Sequence, residues 1–173
     1  MHHQMLLFAA GFGWWPVAVA VQVAGCTLTA WRWRDRAAWA GLVAMVAAAG
    51  AVVVLRLMVS HNAELCAMFG LVKPSGHTAL ALVVYGTIGL VHGRHLAAGP
   101  RRALRVLCLA VMAWVPAAMV ALGQHSVPDA LVGGAAGLAG LALCRSLAGA
   151  WSAPRPQRPT VENVLGAAAS LNE

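Results

Sequence analysis

Two short stretches of this 173-residue chain carry the residue types that chemistry at a membrane surface needs. Lys73, Pro74, Ser75, Gly76 and His77 follow one another, and His125 is followed four residues later by Asp129. Lys73 is the only lysine, and Glu64 and Asp129 are the only acids between Asp35 and Glu162. In the first stretch Pro74 suits a helix start, Ser75 can cap it and donate a hydroxyl, and Gly76 lets a ligand approach the backbone. Open N–H groups and the helix dipole favour an anion there, and Lys73 adds a full positive charge. In the second, the spacing places His125 and Asp129 on one helical face, with Pro128 in the first turn. A carboxylate holding one imidazole nitrogen fixes the tautomer and leaves the other nitrogen able to attack or to accept a proton. Taken singly, each stretch also reads as ordinary structure: a capped helix with a snorkelling lysine, and a satisfied histidine at a membrane boundary.

Taken together they hold the parts for phosphoryl transfer through phosphohistidine. His125 is the expected nucleophile, held by Asp129, and His77 the acid that protonates the leaving oxygen, a role worth about 100- to 10,000-fold. Lys73, Ser75 and Gly76 are expected to bind the phosphoryl oxygens. This chemistry calls for no metal and no cofactor.

The elements that must position these residues are membrane spans. Hydrophobic residues make up 61% of the chain and charged residues 10%, against roughly 25% charged in soluble domains. That composition excludes a water-soluble globule and a disordered chain. Apolar stretches predict an all-α bundle of about five spans: Met5 to Trp31, Ala37 to Leu55, His77 to Gly93, Leu104 to Gly123 and Asp129 to Ala150. Residues 1–150 read as one membrane-embedded domain, and 151–173, with Pro154, Pro156 and Pro159, as a disordered tail. The first stretch is too long, and lacks a clear cleavage site, for a signal peptide. His2 and His3 receive no role.

Basic residues set the orientation. Arg32, Arg34, Arg36, Arg94, Arg101, Arg102, Arg105, Arg145, Arg155 and Arg158 fall on one side, and only Arg56 and Lys73 on the other. The N-terminus is therefore expected outside and the C-terminus inside, with both histidine clusters on the outer face. The net charge of +7 is then a topology signal and not a nucleic-acid footprint. Cys26, Cys108 and Cys144 read as small apolar residues within spans, and Cys66 stands alone in the outer loop. Gly133 and Gly137 form a small-residue face, extended by Gly140, for packing within the bundle or for a homodimer. The tryptophans mostly mark interfaces.

Lys73-Pro74-Ser75-Gly76-His77-Thr78 and the His125/Asp129 pair, followed by Gly133-Gly134, resemble signatures of the type 2 phosphatidic acid phosphatase superfamily. The resemblance covers roughly Arg56 to Gly140. It implies a metal-independent phosphatase whose two signatures open helices at the outer membrane face, separated by one span. It also implies a phosphorylated lipid substrate of the phosphatidic acid, phosphatidylglycerophosphate or isoprenyl diphosphate type, and a bacterial inner-membrane location with a periplasmic site. The haloperoxidase branch holds vanadate with the same residues. Two features depart from the family: Ala118 and Met119 stand where it carries Ser-Arg, and Arg56 meets Ala63 and Glu64 where its first signature requires Arg-Pro. Charge-assisted bonds contribute about 1.5–3 kcal/mol each, so Arg56 and Lys73, the only outward cations, are expected to substitute as phosphate binders. The alternatives are a non-catalytic relative that binds or scaffolds phosphorylated lipids, a zinc hydrolase using His61, His77, His125 and Asp129, and a Ser75–His125 dyad.

Overall fold

The computed structural model describes residues 15–152, and every regular element among them is helical. Helix α1 covers Trp15–Trp33, α2 Ala40–His61, α3 Ala63–Met68, α4 Gly76–Leu90, α5 Ala98–Ala121 and α6 Val127–Ser152. Single 3-10 turns occupy Arg36–Trp39 and His92–His95. Three segments, Arg36–His61, Ala98–Ala121 and Val127–Ser152, are long and apolar enough to cross a membrane. The 15 residues of α4 rise about 22 Å, short of the roughly 30 Å of a hydrocarbon core.

Several expected boundaries move. The second span was expected to close at Arg56, yet α2 runs on to His61 because the Arg56 side chain turns inward to a backbone acceptor. The segment from Arg94 to Arg102 was expected as a loop, but α5 starts at Ala98. Pro100 then lies in its first turn, where backbone N–H groups have no intrahelical partner to lose. Trp151, expected in the tail, lies in the last turn of α6, which ends at Ser152. The start of the first expected span, with His2 and His3, and residues 153–173 lie outside the described residues.

Helix α4 is the centre, packed against α6, α5, α2 and α1. Its buried residues include Thr78, Ala79, Ala81, Gly86 and Gly89, small enough to let neighbours close in from several sides. Among lipid tails helices gain little from hiding apolar surface, so close contact between small residues has to hold them. A Cβ added at Gly133 would fall 2.2 Å from the Ser75 carbonyl oxygen, and one at Gly137 2.7 Å from that of Ala79. The Gly133/Gly137 face, named above as a candidate dimer contact, is therefore filled by α4 of the same chain.

Polar side chains tie the opposite end of the bundle. Asp35 caps the first 3-10 turn through the Ala37 N–H at 3.1 Å. It also pairs with the Arg94 guanidinium and lies 2.7 Å from the His95 ring, which stacks on Trp33 at 4.8 Å. Burial opposes the Asp35 charge, but the bonds from Arg94 and His95 win and hold its carboxyl below the usual range. His92 is buried beside them, bonded to the Thr29 hydroxyl at 2.8 Å. Burial pushes the His92 imidazole down to about 4.

That depression has a sign. An unfolded histidine takes its proton near pH 6.5, so between about 6.5 and 4 the unfolded chain binds a proton at His92 that the folded chain refuses, and stability falls as pH falls. The Asp35 contribution is lost only below the ordinary aspartate value and lies outside this window. Thermal midpoints of the detergent-solubilised protein are expected to drop from pH 7 to pH 4.5, with a shallower slope in His92→Asn. Equal slopes in the two proteins would remove His92 as a source of the acid sensitivity.

Candidate functional site

Two helix starts and the turns before them build the site. At α4 the Ser75 hydroxyl accepts from the Thr78 N–H at 3.3 Å and from the Thr78 hydroxyl at 3.1 Å. Ser75 is fully buried, so the expected phosphate-binding hydroxyl serves as the helix cap and does not face the open site. Gly76 begins α4 and His77 follows, half-buried. The His77 Nδ1 is buried without a hydrogen-bond partner.

The second start depends on a reversal of the chain after α5. Gly123 adopts φ +66°, the left-handed conformation that glycine takes without strain. Its N–H donates to the Val120 carbonyl, and that of Gln124 to the Met119 carbonyl, the paired bonds of a Schellman helix end. This turn brings His125 back over α4. The His77 and His125 rings, contributed by different helices, stand 6.1 Å apart between centroids, tilted by 57°.

Asp129 does not hold His125 as expected. Its Oδ1 accepts from the Val72 and Lys73 N–H groups at 3.0 and 2.7 Å, and its Oδ2 from the Ser126 N–H at 3.2 Å. The Ser126 hydroxyl in turn accepts from the Asp129 N–H at 3.2 Å. This is a reciprocal capping box at the start of α6, and it takes the carboxylate away from the ring. His125 Nδ1 instead lies 3.0 Å from the Lys73 carbonyl oxygen. A carbonyl can only accept, so Nδ1 carries the proton and Nε2 of the neutral ring keeps its lone pair. Asp129 acts on His125 at one remove, by holding the N–H of Lys73, the residue whose carbonyl meets the ring. Ser126 is the residue that sequence reasoning passed over; Ser-x-x-Asp ahead of an apolar run was the available signal.

Burial lowers the His125 imidazole below its ordinary value; the Lys73 carbonyl and the Asp129 charge pull the other way, and Arg56 and Lys73 add to the lowering. The ring is accordingly neutral at pH 7, as a nucleophile must be.

The two cations come from different directions. Arg56 Nε donates to the Pro74 carbonyl at 3.1 Å, and its Nη2 lies 3.5 Å from where a Cβ on Gly76 would sit. The guanidinium thus lies in ordinary contact range of the first residue of α4. The Lys73 side chain is exposed on the neighbouring loop. At the matching positions of α5, Ala118 and Met119 are both buried, and neither side chain carries a donor. Beside His77 and Arg56 opens an apolar cleft of about 210 Å3, walled by Trp15, Ala49, Val52, Val53 and Leu80.

The structure thus brings His77, His125, Asp129, Lys73, Gly76 and Arg56 to one end of the bundle. It leaves His61, at the end of α2, and Glu64, in α3, exposed. Among the described residues no three His, Cys, Asp or Glu side chains are grouped so that they could hold a metal ion, so the zinc alternative finds no ligand set. The Ser75–His125 dyad fails because Ser75 is committed to its cap. Comparison with known family models, curated proteins and solved structures finds no match to this chain.

Proposed function

We propose that this chain is an integral membrane phosphatase that hydrolyses a lipid phosphate or diphosphate through a phosphohistidine at His125. The observation that carries the reading is the convergence of two imidazoles from separate helices at 6.1 Å, one of them with its tautomer set. The resemblance to the type 2 phosphatidic acid phosphatase superfamily supports it. In the reaction, His125 Nε2 attacks phosphorus and the bond to the leaving oxygen breaks as His77 supplies that oxygen's proton. Water then attacks the phosphohistidine, giving a proton back to His77, and inorganic phosphate leaves with His125 restored. Arg56 and Lys73 bind the phosphoryl oxygens in place of the arginine that Met119 replaces. The apolar cleft against His77 suits a hydrocarbon-bearing leaving group.

The reading includes five spans, with α1 and α4 completing the three long apolar helices, the N-terminus outside, and the site at the outer face of a bacterial inner membrane. The arginine distribution supports that orientation. One specific observation favours a second reading, a lipid-binding or scaffolding relative without turnover: Ala118 and Met119 occupy the buried positions of α5 where the resembled family carries Ser-Arg, so no guanidinium comes from there.

Phosphate release from mixed micelles of phosphatidic acid, phosphatidylglycerophosphate and an isoprenyl diphosphate separates the two. Turnover of at least one supports the phosphatase; binding without release across the panel supports the scaffold. For a turning-over substrate, the acid limb of kcat/KM reports the nucleophile of the free enzyme. Because His125 is lowered, that limb is expected to have its midpoint below the ordinary histidine value of about 6.5. A midpoint above that value would mean that the ring is not in the environment described.

A further inference from the structure

We infer that the cleft between α4, α5 and α6, at the end of the bundle away from His77 and His125, binds an anionic phospholipid, with an acyl chain in the cleft and the phosphate against Arg105. Helix α5 packs along α4 but meets α6 at few places, and the wedge left between them is a cleft of about 160 Å3. Its lining includes Gly86 and Gly89 of α4, Cys108 and Met112 of α5, and Leu141 of α6, with Arg105 at the arginine-bearing end. No acidic side chain lines it.

Arg105 is placed for a headgroup. Its Nε donates to the Gly89 carbonyl at 3.3 Å, and its Cγ lies 3.8 Å from where a Cβ on Gly89 would sit. The stem thus crosses a glycine, and the guanidinium, anchored by Nε, keeps its other donors for a ligand. Arg101 and Arg102 precede it by about one helical turn, so the three charges share one side of α5. Among the described residues none of the three makes an ion pair, and the carboxylate at this end, Asp35, is already engaged by Arg94 and His95. Basic pockets between spans are where acidic headgroups settle, and the apolar lining rules for a lipid over a free phosphate. The inference does not depend on the proposed phosphatase activity.

The full chain, purified in a neutral detergent, tests it by thermal denaturation and native mass spectrometry with added phosphatidylglycerol, phosphatidylcholine or glycerol phosphate. Phosphatidylglycerol is expected to raise the midpoint saturably and to appear as bound lipid, whereas the other two do neither. Arg105→Gln is expected to weaken half-saturation by roughly tenfold, the loss of one charge-assisted contact. Arg105→Lys, which keeps the charge but loses the anchored fork, is expected to fall between. His125→Ala is expected to bind phosphatidylglycerol as the wild type does. Equal stabilisation by phosphatidylcholine, or wild-type binding by Arg105→Gln, overturns the inference. So does binding lost only in His125→Ala, which would place the lipid at the imidazole site, or dimerisation without bound lipid, which would give the cleft to a second copy.

Discussion

His125→Ala is expected to abolish turnover, by about 10,000-fold or more, while His77→Ala loses about 100- to 10,000-fold. The asymmetry follows from the roles. Without His125 the proposed covalent intermediate loses the one imidazole whose tautomer is set by the Lys73 carbonyl, while Ser75 is committed to its cap and the two Asp129 oxygens accept backbone N–H groups. Without His77 the intermediate can still form, with water supplying the leaving group's proton slowly. Stability should change little in His125→Ala, since the lost bond to the Lys73 carbonyl contributes about 1 kcal/mol. Initial rates of phosphate release at matched thermal midpoints check the pair. The phosphohistidine assignment fails if His125→Ala keeps more than a tenth of wild-type turnover in a folded protein.

The chemistry-bearing residues were legible because they are scarce: in a chain this apolar, one lysine and two acids between Asp35 and Glu162 stand out. Their convergence was legible too, since the two histidine stretches open apolar segments from the same predicted face. The wiring between them was not. Spacing alone puts Asp129 on the same helical face as His125, but Ser126 lies three residues before Asp129 and competes for its carboxylate. A capping box bonded through two backbone N–H groups wins over a single side-chain contact. Spans were harder to delimit where a charge stood inside a helix. Arg56 looks like a boundary in sequence, yet its bond to the Pro74 carbonyl is a tertiary contact that no local pattern encodes. The Asp35, Arg94 and His95 cluster has no local signature either, because Asp35 lies about 60 residues from its two partners and only the packing of α1 beside α4 unites them.

Gly133→Ala is expected to destabilise the protein by several kcal/mol, although alanine is the better helix former by about 1 kcal/mol. The added Cβ would lie 2.2 Å from the Ser75 carbonyl oxygen, 3.0 Å from its carbon and 3.1 Å from its nitrogen. All three are backbone atoms, so no rotamer change relieves the clash and the start of α4 must move away from α6. That movement pulls on the Ser75 N–H to Asp129 carbonyl bond at 3.0 Å and on the N–H groups of Val72 and Lys73 that the Asp129 carboxylate holds. The Lys73 carbonyl would then shift away from His125, so turnover should fall with stability. Gly134→Ala is the internal control: its Cβ would meet only the Leu82 and Thr78 side chains, at 3.6 and 3.8 Å, which is ordinary contact. There the helix-propensity gain is uncompensated, and the thermal midpoint should hold or rise. Midpoints and phosphate-release rates of the two variants, measured side by side in detergent, decide the matter. If Gly133→Ala is as stable as Gly134→Ala, α6 does not approach α4 at Ser75 and the geometry that brings His125 to His77 loses its support.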